Sequence, residues 1–227
     1  YKRQKLLMEQ DPSKLMQLKS LESVLQVKDS NIQFYKNLPP GNEVDAIVKI
    51  IPDQVEIKLS RGRVGQLQLT HGKLLFAPLR TGSPLASIDL KSSGPLAEAL
   101  DLLEHPDLAI LKQEMLPFTE SYGDVDLDLG MVFSLGNKTD KGFRFTAKAN
   151  VKEVRLSGMP LDLEMRNGTV EVDADSENVR LSGTGKLSGA DVDFDFRKKG
   201  KNPPRTKVIA PLSEEMADLL GHLSNLD

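Results

Sequence analysis

A mainly β fold, a curved antiparallel sheet with two or three short helices, is what this sequence predicts, and three observations predict it. Apolar and polar residues alternate with a period of two along most of the chain from about residue 31. Turn-forming residues break that alternation at intervals. Aromatic residues make up only 5% of the chain and Trp is absent, which fits a thin or open core of Leu, Val and Ile better than the ring-rich core of a compact sandwich.

The strands follow in order. Val55, Ile57 and Leu59 alternate with Glu56 and Lys58, and Leu67 and Leu69 with Gln66, Gln68 and Thr70. Val125, Leu127, Leu129, Met131, Phe133 and Leu135 form a longer row. Phe143, Phe145, Ala147, Ala149 and Val151 form another, opposed by Arg144, Thr146, Lys148 and Lys152. Then come Leu161, Leu163 and Met165; Val170, Val172 and Ala174; Val179 and Leu181; and Val192, Phe194 and Phe196. Each row reads as a strand with one buried and one wet face. The phase shift from Val151 to Val154 and Leu156 predicts a β-bulge.

Between the rows, Gly41-Asn42, Arg61-Gly62, His71-Gly72, Asn137 to Gly142, Gly158, Asn167-Gly168, Glu177-Asn178, Gly189 and Lys199-Gly200 read as turns. Short links make successive strands antiparallel neighbours in a meander. Roughly a dozen strands at about 4.8 Å spacing give a sheet about 50–60 Å wide, which should curl rather than stay flat. Curling leaves two outcomes open, a closed sandwich or barrel and a gutter with an apolar floor.

Helices are predicted at Gly94-Pro95 to Leu103, with Pro near the first helical position and His105-Pro106 as the stop. A second is predicted from Ser213, a capping residue followed by Glu214 and Glu215, to Gly221. Leu15, Leu18, Leu21 and Leu25 have helical spacing in the N-terminal stretch. The chain therefore divides into a helical N-terminal segment at 1–30, a first β-sheet segment at 31–93, a helix and connection at 94–122, and a second β-sheet segment with a C-terminal helix at 123–227.

Composition narrows the function. A net charge of -3 argues against a nucleic-acid partner, and the short basic run Arg197, Lys198, Lys199, Lys201 reads as a solvated turn. With no Cys there is no disulfide framework, thiolate zinc site or thiol nucleophile. No apolar run of roughly 18 residues is present. The start, Tyr1-Lys2-Arg3-Gln4-Lys5-Leu6-Leu7, has neither an initiator Met nor a signal-peptide apolar region, and both ends read as cut from a longer protein.

No catalytic constellation stands out, so the chain is not expected to be an enzyme, and no metal or cofactor is expected. His71, His105 and His222 are far apart in sequence. Asp124, Asp126 and Asp128 look like a calcium loop, but Gly130 falls at position seven rather than six. On a strand such carboxylates lie about 6.6–7 Å apart, too extended to wrap a cation. They and Asp191, Asp193 and Asp195 read as a solvated outer face. Gly183-Thr184-Gly185 lacks the rest of a phosphate loop.

The remaining signal is the apolar rows themselves. Val125, Leu127, Leu129, Phe133, Phe143, Phe145, Val170, Val172, Leu181, Phe194 and Phe196 are the candidate site residues, as an apolar lining. Periodicity alone does not separate a floor open to lipid from an ordinary closed core.

Several stretches, in order, resemble the AsmA-like family in its YhdP-type branch. Phe34-Tyr35-Lys36-Asn37-Leu38-Pro39-Pro40 is similar to that family's aromatic strand and Leu-Pro-Pro turn, and Ser60-Arg61-Gly62-Arg63-Val64-Gly65 to its next hairpin. Gly94-Pro95 with Ala99-Leu100-Asp101-Leu102-Leu103 and His105-Pro106 resembles its Gly-Pro helix. Val179-Arg180-Leu181-Ser182-Gly183-Thr184-Gly185 resembles its Leu-x-Gly strand. Pro204-Arg205-Thr206, leading to Ala217-Asp218-Leu219-Leu220-Gly221, resembles the closing strand and helix. The first thirty residues match no pattern of that family. The resemblance implies a taco-like, TamB-like lipid-transfer groove in the periplasm, tethered to the inner membrane by a segment absent from this sequence. It implies phospholipid as partner, together with the membrane anchor and envelope proteins. The alternative is a structural or protein-interaction β-module of the envelope with a closed core and no lipid.

Overall fold

The computed structural model describes residues 22–33, 39–80, 84–105, 118–135, 143–159 and 162–211. Eleven strands form one sheet in strict sequence order. They are β1 (Ser23–Ile32), β2 (Gly41–Ile51), β3 (Gln54–Val64), β4 (Leu67–Ala77), β5 (Leu85–Pro95), β6 (Glu120–Ser134), β7 (Arg144–Ser157), β8 (Met165–Asp175), β9 (Asn178–Leu187), β10 (Ala190–Lys199) and β11 (Arg205–Ile209). All neighbours are antiparallel, and the sheet is open and curled. At about 4.8 Å per strand it is roughly 50 Å wide. The one helix among the described residues is α1 (Leu96–Glu104).

Several expectations change here. β1 begins at Ser23, so the boundary at residue 30 falls inside a strand, and Leu25 belongs to a strand and not to a helix. The two sheet segments on either side of 94–122 are one sheet, because β5 and β6 pair continuously from Leu85↔Ser134 to Pro95↔Asp124. Gly41-Asn42, Arg61-Gly62, His71-Gly72 and Asn167-Gly168 lie within strands and are not turns. Leu163 precedes β8, which starts at Met165. The expected helix at 213–220, the 106–117 part of the connection, residues 1–21, Phe34 to Leu38, Leu161 and the turn at 137–142 lie outside the described residues.

The curl has a local cause. Registers shift between Val27 and Ser30 on β1, Asn42 and Asp45 on β2, and Leu69 and His71 on β4. They shift again between Tyr122 and Asp124 on β6, Val151 and Val154 on β7, and Arg166 and Thr169 on β8. Positive-φ residues sit at five of these six steps, all but the one on β4: Asp29 (φ 45), Glu43 (φ 53), Glu153 (φ 54), Asn167 (φ 50) and Gly123 (φ 136). A bulge bends its strand and increases its twist. The shifts form two lines, one on β1–β4 and one on β6–β8, and within each line the bends add. The bulge expected between Val151 and Val154 is one of them.

Asp45 ties the first line of bulges together. Its carboxylate accepts the backbone N–H of Asp29 at 2.8 Å and lies 3.2 Å from Nε of Arg61, while the Ser60 hydroxyl donates to its carbonyl at 3.3 Å.

α1 starts where expected, directly after Pro95, and ends as His105 turns extended before Pro106. Ala99 is buried, and Leu96, Leu102 and Leu103 pack on the cluster containing Leu67, Val125 and Val154. Glu98 accepts the Gln66 backbone N–H at 3.2 Å, which fastens the helix to the β3–β4 turn.

Candidate functional site

Strand register decides which side chains share a face. On β6, Val125, Leu127, Leu129, Met131 and Phe133 point one way. Their partners on β7 are Val151, Ala149, Ala147 and Phe145, and on β5 Gly94, Ser92, Leu90, Ile88 and Ala86. Following the pairs outward gives Val170, Val172 and Ala174 on β8, Leu181 and Gly183 on β9, and Phe194 and Phe196 on β10. In the other direction the face continues through Leu74 and Phe76, Ile57 and Leu59, Ala46 and Val48, to Leu25 and Val27. One apolar face therefore crosses every strand from β1 to β10 and reaches Val208 on β11, opposite Phe194.

All eleven residues singled out from sequence belong to this face or, for Phe143, to the segment just before β7. Burial divides them. Val125, Leu127 and Leu129 are buried at 4–7% exposure, in the cluster that α1 covers in part. Phe133, Phe143, Phe145, Val170, Val172, Leu181, Phe194 and Phe196 are half-buried. Phe143 and Phe145 pack as a tilted pair with ring centroids 6.3 Å apart. Between them and the β8 residues, Ala147 and Ala149 keep the floor low.

Sequence reasoning missed the continuation of this face into β1–β5. The signal was present, since Val55, Ile57 and Leu59 alternate as cleanly as Val125, Leu127 and Leu129. What joins the two halves is the β5–β6 pairing, which spans the helix and connection. It also missed Lys198, which shares a face with Phe194 and Phe196 and places a half-buried cation at the end of their row.

The opposite face is charged. Asp124, Asp126, Asp128, Asp191 and Asp193 are exposed on it, and Lys152, Lys91, Lys148 and Lys186 are among their strand partners. Lys91 meets Asp128 at 3.1 Å, and Lys186 meets Asp191 at 3.1 Å. The Arg197 guanidinium at 2.6 Å, with Arg180 at 3.1 Å, holds the Asp195 carboxyl down to about 2. Lys58 at 3.0 Å, with Lys73 further off, holds Glu56 below the usual carboxylate range. Asp175 is lowered by the side chain of Asn178 and by the backbone N–H groups of Glu177 and Asn178 in the β8–β9 turn. These are structural ion pairs and turn bonds.

Among the described residues no three His, Asp or Glu side chains converge as a metal site would require. A concavity of about 280 Å³ lies between α1 and the start of β6, beside Leu100, Glu104, Phe118 and Tyr122. A second, of about 500 Å³, is bounded by Gln66, Gln68, Pro95, Asp124, Asp126 and Lys152. Among the described residues no helix is long and apolar enough to cross a membrane. No protein-family model matches the chain, and no curated protein and no solved structure is found to be similar to it.

Proposed function

We propose that this chain is a non-catalytic, lipid-binding segment of an AsmA-like, YhdP-type envelope protein. In this reading it lies in the periplasm, is tethered to the inner membrane by a segment outside this sequence, and conducts phospholipid acyl chains between the inner and outer membranes. The observation that carries the reading is the continuity of one apolar face across eleven strands of a sheet whose edges, β1 and β11, do not pair with each other.

The chemistry is passive. Each methylene taken out of water gains about 0.8 kcal/mol. No fixed polar contact holds an acyl chain at one level of an apolar face, so it can slide along the direction in which the strands stack. The half-buried residues Phe145, Val172, Leu181 and Phe194 are the ones a hydrocarbon can touch, and the order of the motifs quoted above supports the family reading.

A second reading is supported by Val125, Leu127 and Leu129, which are as buried as an ordinary core. It makes the chain a structural or protein-interaction module of the envelope, with that face as its closed core. Native mass spectrometry of protein purified from membranes in mild detergent separates the two. The groove reading expects phospholipid adducts, and crosslinks to lipid from a photoreactive residue at Phe145 or Phe194. Lipid-free protein, with crosslinks only to protein, would leave the closed module as the function.

A further inference from the structure

Register traces one row of outer-face side chains through seven strands: Lys91, Asp128, Lys148, Asp173, Arg180, Arg197 and Arg205. From β5 to β9 the sign alternates at every step, so each charge has an opposite neighbour. From β9 to β11 it does not. Arg180, Arg197 and Arg205 stand side by side, and like charges directly opposite each other destabilise a sheet.

The surroundings intensify the break. Residues 196–207 hold Arg197, Lys198, Lys199, Lys201, Arg205 and Lys207 and no acidic residue, in a chain whose net charge is -3. Among the described residues only Arg197 of these six is within ion-pair distance of a carboxylate, and it shares Asp195 with Arg180. Read with its paired strand, the solvated tip of this run joins a cationic patch of Arg197, Lys199, Lys201, Arg205 and Lys207, while Lys198 is turned to the apolar face.

The patch sits on a hairpin tip and an edge strand. Val208 and Ile209, 51% and 53% exposed, follow it on β11, one on each face. Cations beside exposed aliphatic side chains suit a bilayer surface, where the charges meet lipid phosphates and the aliphatic groups enter the headgroup boundary. A single-stranded nucleic acid would want aromatic platforms among the cations. The aromatic residues here, Phe194 and Phe196, face the apolar side of the sheet instead.

We propose that the β10–β11 hairpin docks this protein on a bilayer surface rich in anionic phospholipid, with Lys199, Lys201 and Arg205 on the phosphates and Ile209, on their face of the sheet, in the boundary. This docking does not depend on acyl chains entering the apolar face.

The test is co-sedimentation of the 227-residue chain with vesicles of phosphatidylcholine alone or mixed with phosphatidylglycerol. Binding should require phosphatidylglycerol and weaken as salt rises. The combined variant Lys199→Gln, Lys201→Gln, Arg205→Gln should unfold no earlier on heating than the parent, since losing Arg205 relieves its repulsion from Arg197, and bind roughly 100-fold more weakly, about five-fold for each charge removed. Because the chain has no Trp, Ile209→Trp gives a single reporter on the outer face, whose emission should shift to the blue on mixed vesicles and not on phosphatidylcholine. Undiminished binding by the triple variant would overturn the proposal. So would tighter binding to a single-stranded oligonucleotide at the same salt, or displacement by inorganic phosphate at matched ionic strength.

Discussion

Leu59 on β3 lies over Gly72 on β4, so close that a Cβ added to Gly72 would come within 2.7 Å of the leucine Cδ1 and 2.8 Å of Leu90 Cδ2 from the other side. The two leucines therefore meet across a position that has no side chain, and the apolar face stays smooth there. Gly72→Val should destabilise the protein by about 1–3 kcal/mol through overpacking. Gly200→Ala has open space around it, and its cost should be only the backbone strain of a left-handed residue, about 1–2 kcal/mol. Urea unfolding of the two variants, with native yield as a check, measures the difference. A neutral Gly72→Val would mean that the leucines do not converge.

The same contact explains what sequence reading caught and what it missed. Alternation exposed the strands, because each has one apolar and one polar face, and the slip at Glu153 showed as a phase break from Val151 to Val154. Glycine next to a polar residue was read as a turn at Gly62, Gly72 and Gly168. In the structure each is an interior position where a neighbouring strand supplies a side chain: Val44 over Gly62, Leu59 and Leu90 over Gly72, and Val154 over Gly168, where Met165 of the same strand also closes in. That information is carried by pairing between strands, which no single strand's pattern contains. Leu25 was misleading for a related reason, since it fits a helical spacing and also the apolar face of an edge strand. The apolar candidates beyond Val125 were legible, but their division into buried and half-buried was not, because it depends on the curl and on where α1 lies.

The bulge at Glu153 offers a sharper test of how the curl is built. Glu153 is left-handed, with Gly123 opposite it on β6. Glu153→Gly relieves a strain of about 1–2 kcal/mol at the expense of about 0.5–1 kcal/mol in chain entropy. It should be neutral or slightly stabilising. Deleting Glu153 instead restores plain alternation, with Val151 and Val154, at 4% and 1% exposure, still on one face, and takes away the bend that the bulge gives β7. The straightened strand no longer follows the bulges on β6 and β8, so the urea midpoint should fall while the protein still folds, as judged by the dispersion of amide resonances. A deletion variant as stable as the parent would separate the curl from the bulge.

Acid should weaken the fold in a defined window. Asp195 titrates near 2 in the folded chain against an ordinary 3.8, because Arg197 and then Arg180 hold its charge. Its folded value lies below its unfolded value, so its contribution is complete above about pH 4 and disappears as pH falls through about 2. Glu56 and Asp175 are lowered too and act in the same direction. Asp195→Asn should lower the melting temperature at pH 7, with the difference from the parent shrinking as pH approaches 2. A difference unchanged between pH 7 and pH 2 would mean that the arginines do not depend on this carboxylate.

Leu129 and Phe145 lie on the same apolar face, yet a carboxylate should have different effects at the two positions. Leu129 is 7% exposed and packed among the buried residues of the main cluster. An aspartate there has only Leu90 and Ala147 as strand partners, and its burial costs of order 3 kcal/mol or more, a large part of a typical stability of about 5–15 kcal/mol. Leu129→Asp should therefore fail to fold or unfold at low urea. Phe145 is half-buried, and its backbone N–H is held by the Ser176 hydroxyl at 2.9 Å whatever side chain it carries. Phe145→Asp should lose roughly 1–2 kcal/mol of apolar burial and remain folded. On the groove reading it should also lose bound phospholipid, because the charge sits where the hydrocarbon lies. Urea titration and native mass spectrometry of the two variants side by side separate folding from occupancy. A folded Phe145→Asp that carries as much lipid as the parent would remove this face from the path of the acyl chain.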